Sequence, residues 1–514
     1  MPDRRRLLLV QIDGLSGRRL KAAMAAGILP SASELCKGPA REIARATVVP
    51  PSTPAFHSAL LYGRQNVVHG YTWFDRQAGI IRRFDVPDDV AQVEAQLRQK
   101  SRRPPLLSVR GSVSYFLTFL GGTARALFTF ATGILPSRWW RTRLLFTAAI
   151  RAVFVAPLEL LSGLIDLARF ARRERTLRFE WNWLLMRVLY ASLWEELATI
   201  SAIADLREGS PIVVLNFVAY DEAAHRRGPD DPVAMAQLER IDRHVARLVK
   251  AARQHGFDVV LMSDHGQAAA IPFSRIQGCS LAALVLTACA PRLPSEHASH
   301  LAGRLDFHLV RASRVRKWPS PIGPFLEKRA RVRADRLADC LVRDFGVPAR
   351  DVAVVTGGSI THVYLGRDPG GMPLEEIEAR YPRLIPSLMA SQGVGLVVSR
   401  RGAGGPTMFF RGARIPLSDR DSLACLPPCQ ETDPDLLRLV ISRVVSSQSA
   451  GDLVVYGAFA QAGAVTFDEE LGSHGGVHPD ELDVFVIQPD GLPLPGGALD
   501  PALLSAVLRE VYAA

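Results

Sequence analysis

An α/β fold with a mostly parallel central sheet flanked by helices is what this sequence predicts, on three observations. Apolar runs at 7–12, 212–220 and 259–263 each stop at an acid, Asp13, Asp221 and Asp264. Continuous apolar runs of that length mark strands buried on both faces, as in parallel sheets. Between the second and third runs, residues 232–255 carry apolar positions at helical spacing, the strand–helix–strand alternation of a βαβ unit. Open α/β sheets bind ligands beyond the carboxyl ends of their strands, so the three acids are expected to converge on one crevice.

The elements follow in order. After the strand at 7–12 comes a helix over 16–26, then a proline-rich turn at 50–54 leading into a helix over 55–62. Composition shifts after 103. Segments 115–135 and 144–167 are long and apolar but broken by Gly121, Gly122, Arg125, Arg151, Pro157, Glu159 and Asp166. A charge at a bilayer centre costs roughly 2.5–3.5 kcal/mol on insertion scales, which weighs against simple transmembrane helices. Trp139, Trp140, Trp181 and Trp183 sit near arginines, the signature of a segment lying in a lipid interface; interfacial helices or a re-entrant hairpin stand level with an ordinary buried helical insert. The α/β pattern resumes after 205. Residues 292–345 form a second, basic and mostly helical excursion, and strands return at 352–355, 363–365, 394–398, 453–456 and 484–487. The expected organisation is a core of 1–103, 205–291 and 346–514, with an apolar helical, amphipathic insert at 104–204 and a basic insert at 292–345.

A chain of 514 residues, 48% apolar and 22% charged, buries a large core and is not a disordered protein. Its net charge of +11 is uneven, with a dense run through Arg311, Arg314, Arg316, Lys317, Lys328, Arg329, Arg331 and Arg333. Such a run suits either a solvated helix face or an anionic membrane surface. No nucleic-acid module accompanies it, so no nucleic-acid partner is expected. The six cysteines, Cys36, Cys279, Cys289, Cys340, Cys425 and Cys429, form no paired framework. With no secretory signal pattern at the N-terminus, a cytoplasmic and membrane-associated location is expected.

Asp221 and His225, spaced i, i+4, share one face if the chain turns helical after its strand, as two ligands of one ion require. Asp264-His265-Gly266 after a strand is more specific, because glycine permits a sharp turn and close backbone approach. The flanking histidines have plainer readings: His57 as a packed helix residue, His69 as a turn residue, and Glu296, His297 and His300 as surface residues. His478 competes with His474 only by proximity.

Taken together, Asp13-Gly14, Pro51-Ser52-Thr53-Pro54 with Tyr62-Gly63 and His69-Gly70, Asp221 with His225, Ser263-Asp264-His265-Gly266 and Gly472-Ser473-His474-Gly475-Gly476 resemble the alkaline phosphatase superfamily, in its type I phosphodiesterase and nucleotide pyrophosphatase branch. The resemblance implies an alkaline-phosphatase-like core and a site for two divalent ions, zinc or alternatively manganese. One ion would take Asp221, His225 and His474; the other would take Asp13, Asp264, His265 and the hydroxyl of Thr53. By the family's spacing back from Gly63, Thr53 rather than its neighbour Ser52 would be the nucleophile, and a cation would lower the pKa of its hydroxyl, otherwise a poor nucleophile. The implied function is hydrolysis of phosphodiester or phosphoanhydride bonds through a phospho-threonine. The alternatives are a phosphomonoesterase or phosphotransferase using the same site, or a catalytically degenerate membrane-associated binding protein. Phe56 stands near Thr53 where a polar donor would be expected, and with the apolar insert it suggests a lipid-linked or otherwise amphiphilic diester as substrate.

Overall fold

The computed structural model describes residues 5–37, 41–131, 142–174, 181–189, 193–290, 352–427, 431–460, 463–489, 491–494 and 497–513. The basic excursion at 292–345, with Glu296, His297 and His300, and the tryptophans Trp139 and Trp140 lie outside the described residues.

The central sheet has seven strands in the order Arg41–Ala46, Asp483–Gln488, Phe257–Met262, Arg6–Ile12, Ile212–Phe217, Val113–Tyr115, Ala126–Leu127. Arg6–Ile12 lies between parallel neighbours on both sides, and the pairs from Ile212–Phe217 through Val113–Tyr115 to Ala126–Leu127 are parallel too. Asp483–Gln488 runs antiparallel to both of its neighbours. The apolar runs are explained by burial on both faces. Leu8, Val10, Val213, Leu215 and Leu261 pack beneath helices Gly17–Ala25, Glu195–Arg207 and Pro232–Gln254, while Leu7, Leu9, Ile212, Val214 and Val260 pack beneath Thr53–Tyr62 and Pro501–Tyr512. Local signals set the helix starts: Ser16 accepts from the Arg19 amide and Asp231 from the Val233 amide, each before a helix.

The later strands divide. Asp483–Gln488 joins the central sheet, whereas Val352–Gly357, Ile360–Leu365, Val394–Ser399 and Leu453–Gly457 belong to a separate six-stranded antiparallel sheet. A third, small sheet ties the two together. In it Ala268–Pro272, just past the Asp264-His265 pair, runs parallel to Gly463–Thr466 and antiparallel to Gly472–Ser473.

Within the apolar stretch 115–135, the described residues 115–131 differ from their expected helical or interfacial form. Val113–Tyr115 and Ala126–Leu127 extend the central sheet, and the Arg125 guanidinium pairs with the buried Asp205 at 2.7 Å. Strands this short leave no periodic trace in a sequence. The stretch 144–167 is helical as expected, within Thr142–Glu174. Among the described residues no helix is long and apolar enough to cross a membrane.

Two glycines fix the backbone where strands empty into the crevice. Gly14 has φ +72°, and a Cβ there would sit 2.5 Å from Asp221 Oδ1. A Cβ on Gly266 would meet the Asp480 carbonyl oxygen at 2.1 Å and that of Asp483 at 2.7 Å. Gly266→Ala is therefore expected to force the Asp483–Gln488 strand outward and to cost about 2 kcal/mol or more of stability. Urea unfolding monitored by circular dichroism measures this, and a change below roughly 0.5 kcal/mol, the range of neutral surface substitutions, would contradict the packing described.

Candidate metal centre

The strand register builds the site. Ile12 pairs with Phe217 and Gln11 with Met262, so the three parallel strands end within one residue of each other. Asp13 follows directly, Asp264 two residues past its strand, and Asp221 in the first turn of helix Ala219–Arg227. The fourth element comes from the small sheet: Ser473 pairs with Ala268, which sets His474 beside His265. Their rings stack at 4.0 Å between centroids, and His225 lies 4.9 Å from His474.

Two groups of ligand atoms result, each within 4.8 Å of one another: Asp13, Asp264 and His265, all buried, and Asp221, His265 and His474, of which Asp221 and His474 are half-buried. His225 is not part of either group, though its Nε2 lies 3.3 Å from Asp221 Oδ2. The grouping departs from the expected partition in two respects, because His265 reaches both sets and His225 stands beside the second without belonging to it. Thr53 opens helix Thr53–Tyr62, with its Oγ1 3.2 Å from Asp13 Oδ1 and 3.2 Å from His265 Nε2. Ser52, by contrast, keeps its buried hydroxyl without a hydrogen bond.

The electrostatics are those of a negatively charged pocket in low dielectric. Burial, then the charges of Asp264 and Asp221, holds Asp13 well above the usual carboxylate range. Burial and Asp221 push Asp264 up to about 7. Burial works against ionised Asp221 too, but His225, His474 and His265 outweigh it and hold its pKa below the usual range. Burial likewise opposes a charged His225, yet Glu470 and Asp221 raise it well above the ordinary imidazole value.

Three partners went unrecognised in the sequence. Asn216 Nδ2 donates to Asp13 Oδ2 at 2.7 Å, Gln267 Nε2 donates to an Asp221 carboxylate oxygen, and Glu470 Oε2 lies 3.0 Å from His225 Nδ1. Asn216 had a signal, being the polar residue near the end of an otherwise apolar strand; Glu470, in an irregular acidic stretch, had none. His57, His69 and His478 are structural. His57 is buried between Thr118 and Gln11, His69 bonds Ser449 at 2.9 Å, and His478 caps helix Pro479–Leu482. Phe56 is fully buried in the core beneath the sheet, so it does not shape the pocket and gives no support to an amphiphilic substrate.

Comparison with known proteins places this crevice in context. The family model for type I phosphodiesterase / nucleotide pyrophosphatase matches residues 7–281, more than half of the chain and all of the strand ends that deliver Asp13, Asp221 and Asp264. The chain belongs to this family. The motifs from Asp13-Gly14 through Ser263-Asp264-His265-Gly266 lie within the matched residues. Among curated relatives, a 2,3-bisphosphoglycerate-independent phosphoglycerate mutase of Wolinella succinogenes is 32% identical over 66 residues, 13% of each chain. The match thus spans about an eighth of that relative's length. Among solved structures, phosphonoacetate hydrolase from Sinorhizobium meliloti 1021 is similar with TM-score 0.49 and 17% identity, over 99% of this chain and 96% of that one. Murine ectonucleotide pyrophosphatase / phosphodiesterase 5 is similar with TM-score 0.49 and 11% identity, over 99% and 95%.

The residues fit divalent cations on chemical grounds. Asp264 Oδ2 is buried with no hydrogen-bond partner, and imidazole nitrogens mixed with carboxylate oxygens are the donor set of zinc and related ions. The partners that orient metal ligands commonly contribute 10–100-fold to metal affinity. Asn216→Ala and Glu470→Ala should each weaken divalent-ion binding by about that factor in titration calorimetry; unchanged affinity in both would mean that Asp13 and His225 are not ligands.

Proposed function

We propose that this protein hydrolyses phosphodiester or phosphoanhydride bonds in two displacements through a phosphorylated Thr53, at a site for two divalent ions. One observation carries the reading: the Thr53 hydroxyl stands at the N-terminus of a helix and within 3.2 Å of both Asp13 and His265. In this reading Asp13, Asp264 and His265, with the Thr53 hydroxyl, hold one ion, and Asp221, His225 and His474 hold the other. Zinc is the first choice for these ligands and manganese the second. Bound there, the ions supply Lewis-acid neutralisation of charge on the attacking, leaving and non-bridging oxygens.

The chain's own residues do the rest. Asp13 Oδ1 accepts the hydrogen bond of the Thr53 hydroxyl and orients its lone pair toward the crevice. The helix behind Thr53 directs its positive end at the phosphoryl oxygens, a natural anion seat. In the first displacement the Oγ–P bond forms as the bond to the leaving oxygen breaks. In the second, water attacks phosphorus and the Oγ–P bond breaks, returning the threonine hydroxyl. Two inversions give net retention at phosphorus. Asn216 and Glu470 keep Asp13 and His225 in place throughout.

Thr53→Ala should lower turnover of a chromogenic diester by about a thousandfold or more, as loss of a covalent nucleophile does, while plasma emission still finds close to the wild-type metal content. Ser52→Ala should leave turnover within a few-fold of wild type. Chelation should abolish activity, and zinc or manganese should restore it. Hydrolysis of the matching monoester faster than the diester would instead favour a phosphomonoesterase, and equal loss in the Ser52 variant would reject Thr53 as the nucleophile.

A further inference from the structure

Helix Thr142–Glu174 is built inside out. Glu159 and Asp166, its acids between 150 and 173, are buried against the core. Asp166 receives the Arg227 guanidinium at 2.9–3.1 Å, Glu159 pairs with Arg240, and Arg187 of the packed helix Trp181–Leu189 lies 3.6 Å from Glu159 and 3.7 Å from Asp166. The opposite face is apolar and open to solvent: Val153 is 69% exposed, Phe154 73%, Leu158 68% and Leu161 57%. Ile150, Leu164 and Ile165 continue it at helical spacing. A helix on a water-facing surface shows the reverse arrangement, and an exposed contiguous apolar face marks an interaction site.

We propose that this face rests on an anionic phospholipid bilayer, with the helix lying flat in the interface. Charge selects this occupant over a second copy of the chain. Past the apolar face the described exposed charges on the helix are basic, Arg169 and Arg172, with Arg173 exposed but also 3.3 Å from Asp231, and the sequence before it carries Arg138, Arg141 and Arg143 around Trp139 and Trp140. A second copy laid antiparallel would set arginine against arginine with no outward acid between 150 and 173 to offset it. Lipid phosphates meet both basic ends, and interfacial helices bury an apolar face between such ends. The flat orientation follows from the inward ion pairs. Arg227 and Arg240 belong to helices Ala219–Arg227 and Pro232–Gln254 of the core, so the helix is held along the protein and cannot stand across a bilayer. The inference does not depend on Thr53 chemistry or on turnover.

Flotation of the full-length protein with vesicles tests it. Wild type should rise with vesicles of about 30 mol% phosphatidylglycerol in phosphatidylcholine and much less with phosphatidylcholine alone, because each basic residue near an anionic surface strengthens binding about fivefold. The triple variant Val153→Asp, Leu158→Asp, Leu161→Asp should lose at least about tenfold in partitioning while keeping its thermal midpoint and soluble-diester activity. Arg169→Gln with Arg172→Gln should weaken binding to the anionic vesicles by roughly tenfold to thirtyfold. The proposal is overturned if wild type stays below with both vesicle types, or if the triple aspartate variant floats like wild type. It is also overturned if that variant converts a dimer to a monomer without any vesicle binding by wild type, which would assign the face to a second copy.

Discussion

Carboxylates do not gather in a buried crevice unaided. Two unit charges about 4 Å apart repel by roughly 4 kcal/mol even at an effective dielectric of 20, and here Asp13, Asp221 and Asp264 are brought together with burial opposing the charge on all three and leaving Asp13 and Asp264 raised. The fold imposes the gathering through strand register, because parallel neighbours that end level must deliver their following residues to one place. Positive charge must answer it. His225, held protonated by Glu470 and Asp221 against its burial, does so in part, Asn216 and Gln267 add hydrogen bonds, and the orphaned Asp264 oxygen marks where compensation from the chain stops. The tension between an imposed cluster and incomplete internal neutralisation is what makes the crevice a cation site in chemical terms.

The same constraint explains the glycines and the small sheet. Gly14 and Gly266 are the points at which a side chain would displace a ligand or a neighbouring strand. The short Gly472–Ser473 pairing has little core to bury, yet it carries His474 across to the crevice from the far part of the chain.

Legibility in the sequence tracked how each residue is positioned. Strands buried on both faces write continuous apolar runs, so the acids at their ends could be read directly, and so could the helices that begin at Ser16 and Asp231. The proline turn marked the start of a helix, but singling out Thr53 on it needed the family resemblance. His474 needed the family resemblance, since nothing local announces that a two-residue strand will bring it home. Phe56 was misjudged because proximity to Thr53 suggested a pocket residue, whereas the helix is buried from Pro54 to Tyr62 on every side and has no free face. Glu470 was out of reach, because its role exists only through a tertiary contact. The insert was partly legible: its apolar content was plain, but three-residue and two-residue strands carry no period, and the inward direction of Glu159 and Asp166 depends on arginines more than sixty residues away.

The order in which the ligands lie along the polypeptide has a consequence for biosynthesis. Six of the seven proposed site residues are made once His265 is added, and the seventh follows some two hundred residues later, so a nascent chain that folds early carries an unfinished, strongly acidic hollow. Until the segment bearing His474 folds back against Ala268, any ion captured early sits in an open, exchangeable nest. Closure of the proposed centre thus waits on the segment bearing His474, and a product that stops short of it would hold metal only weakly.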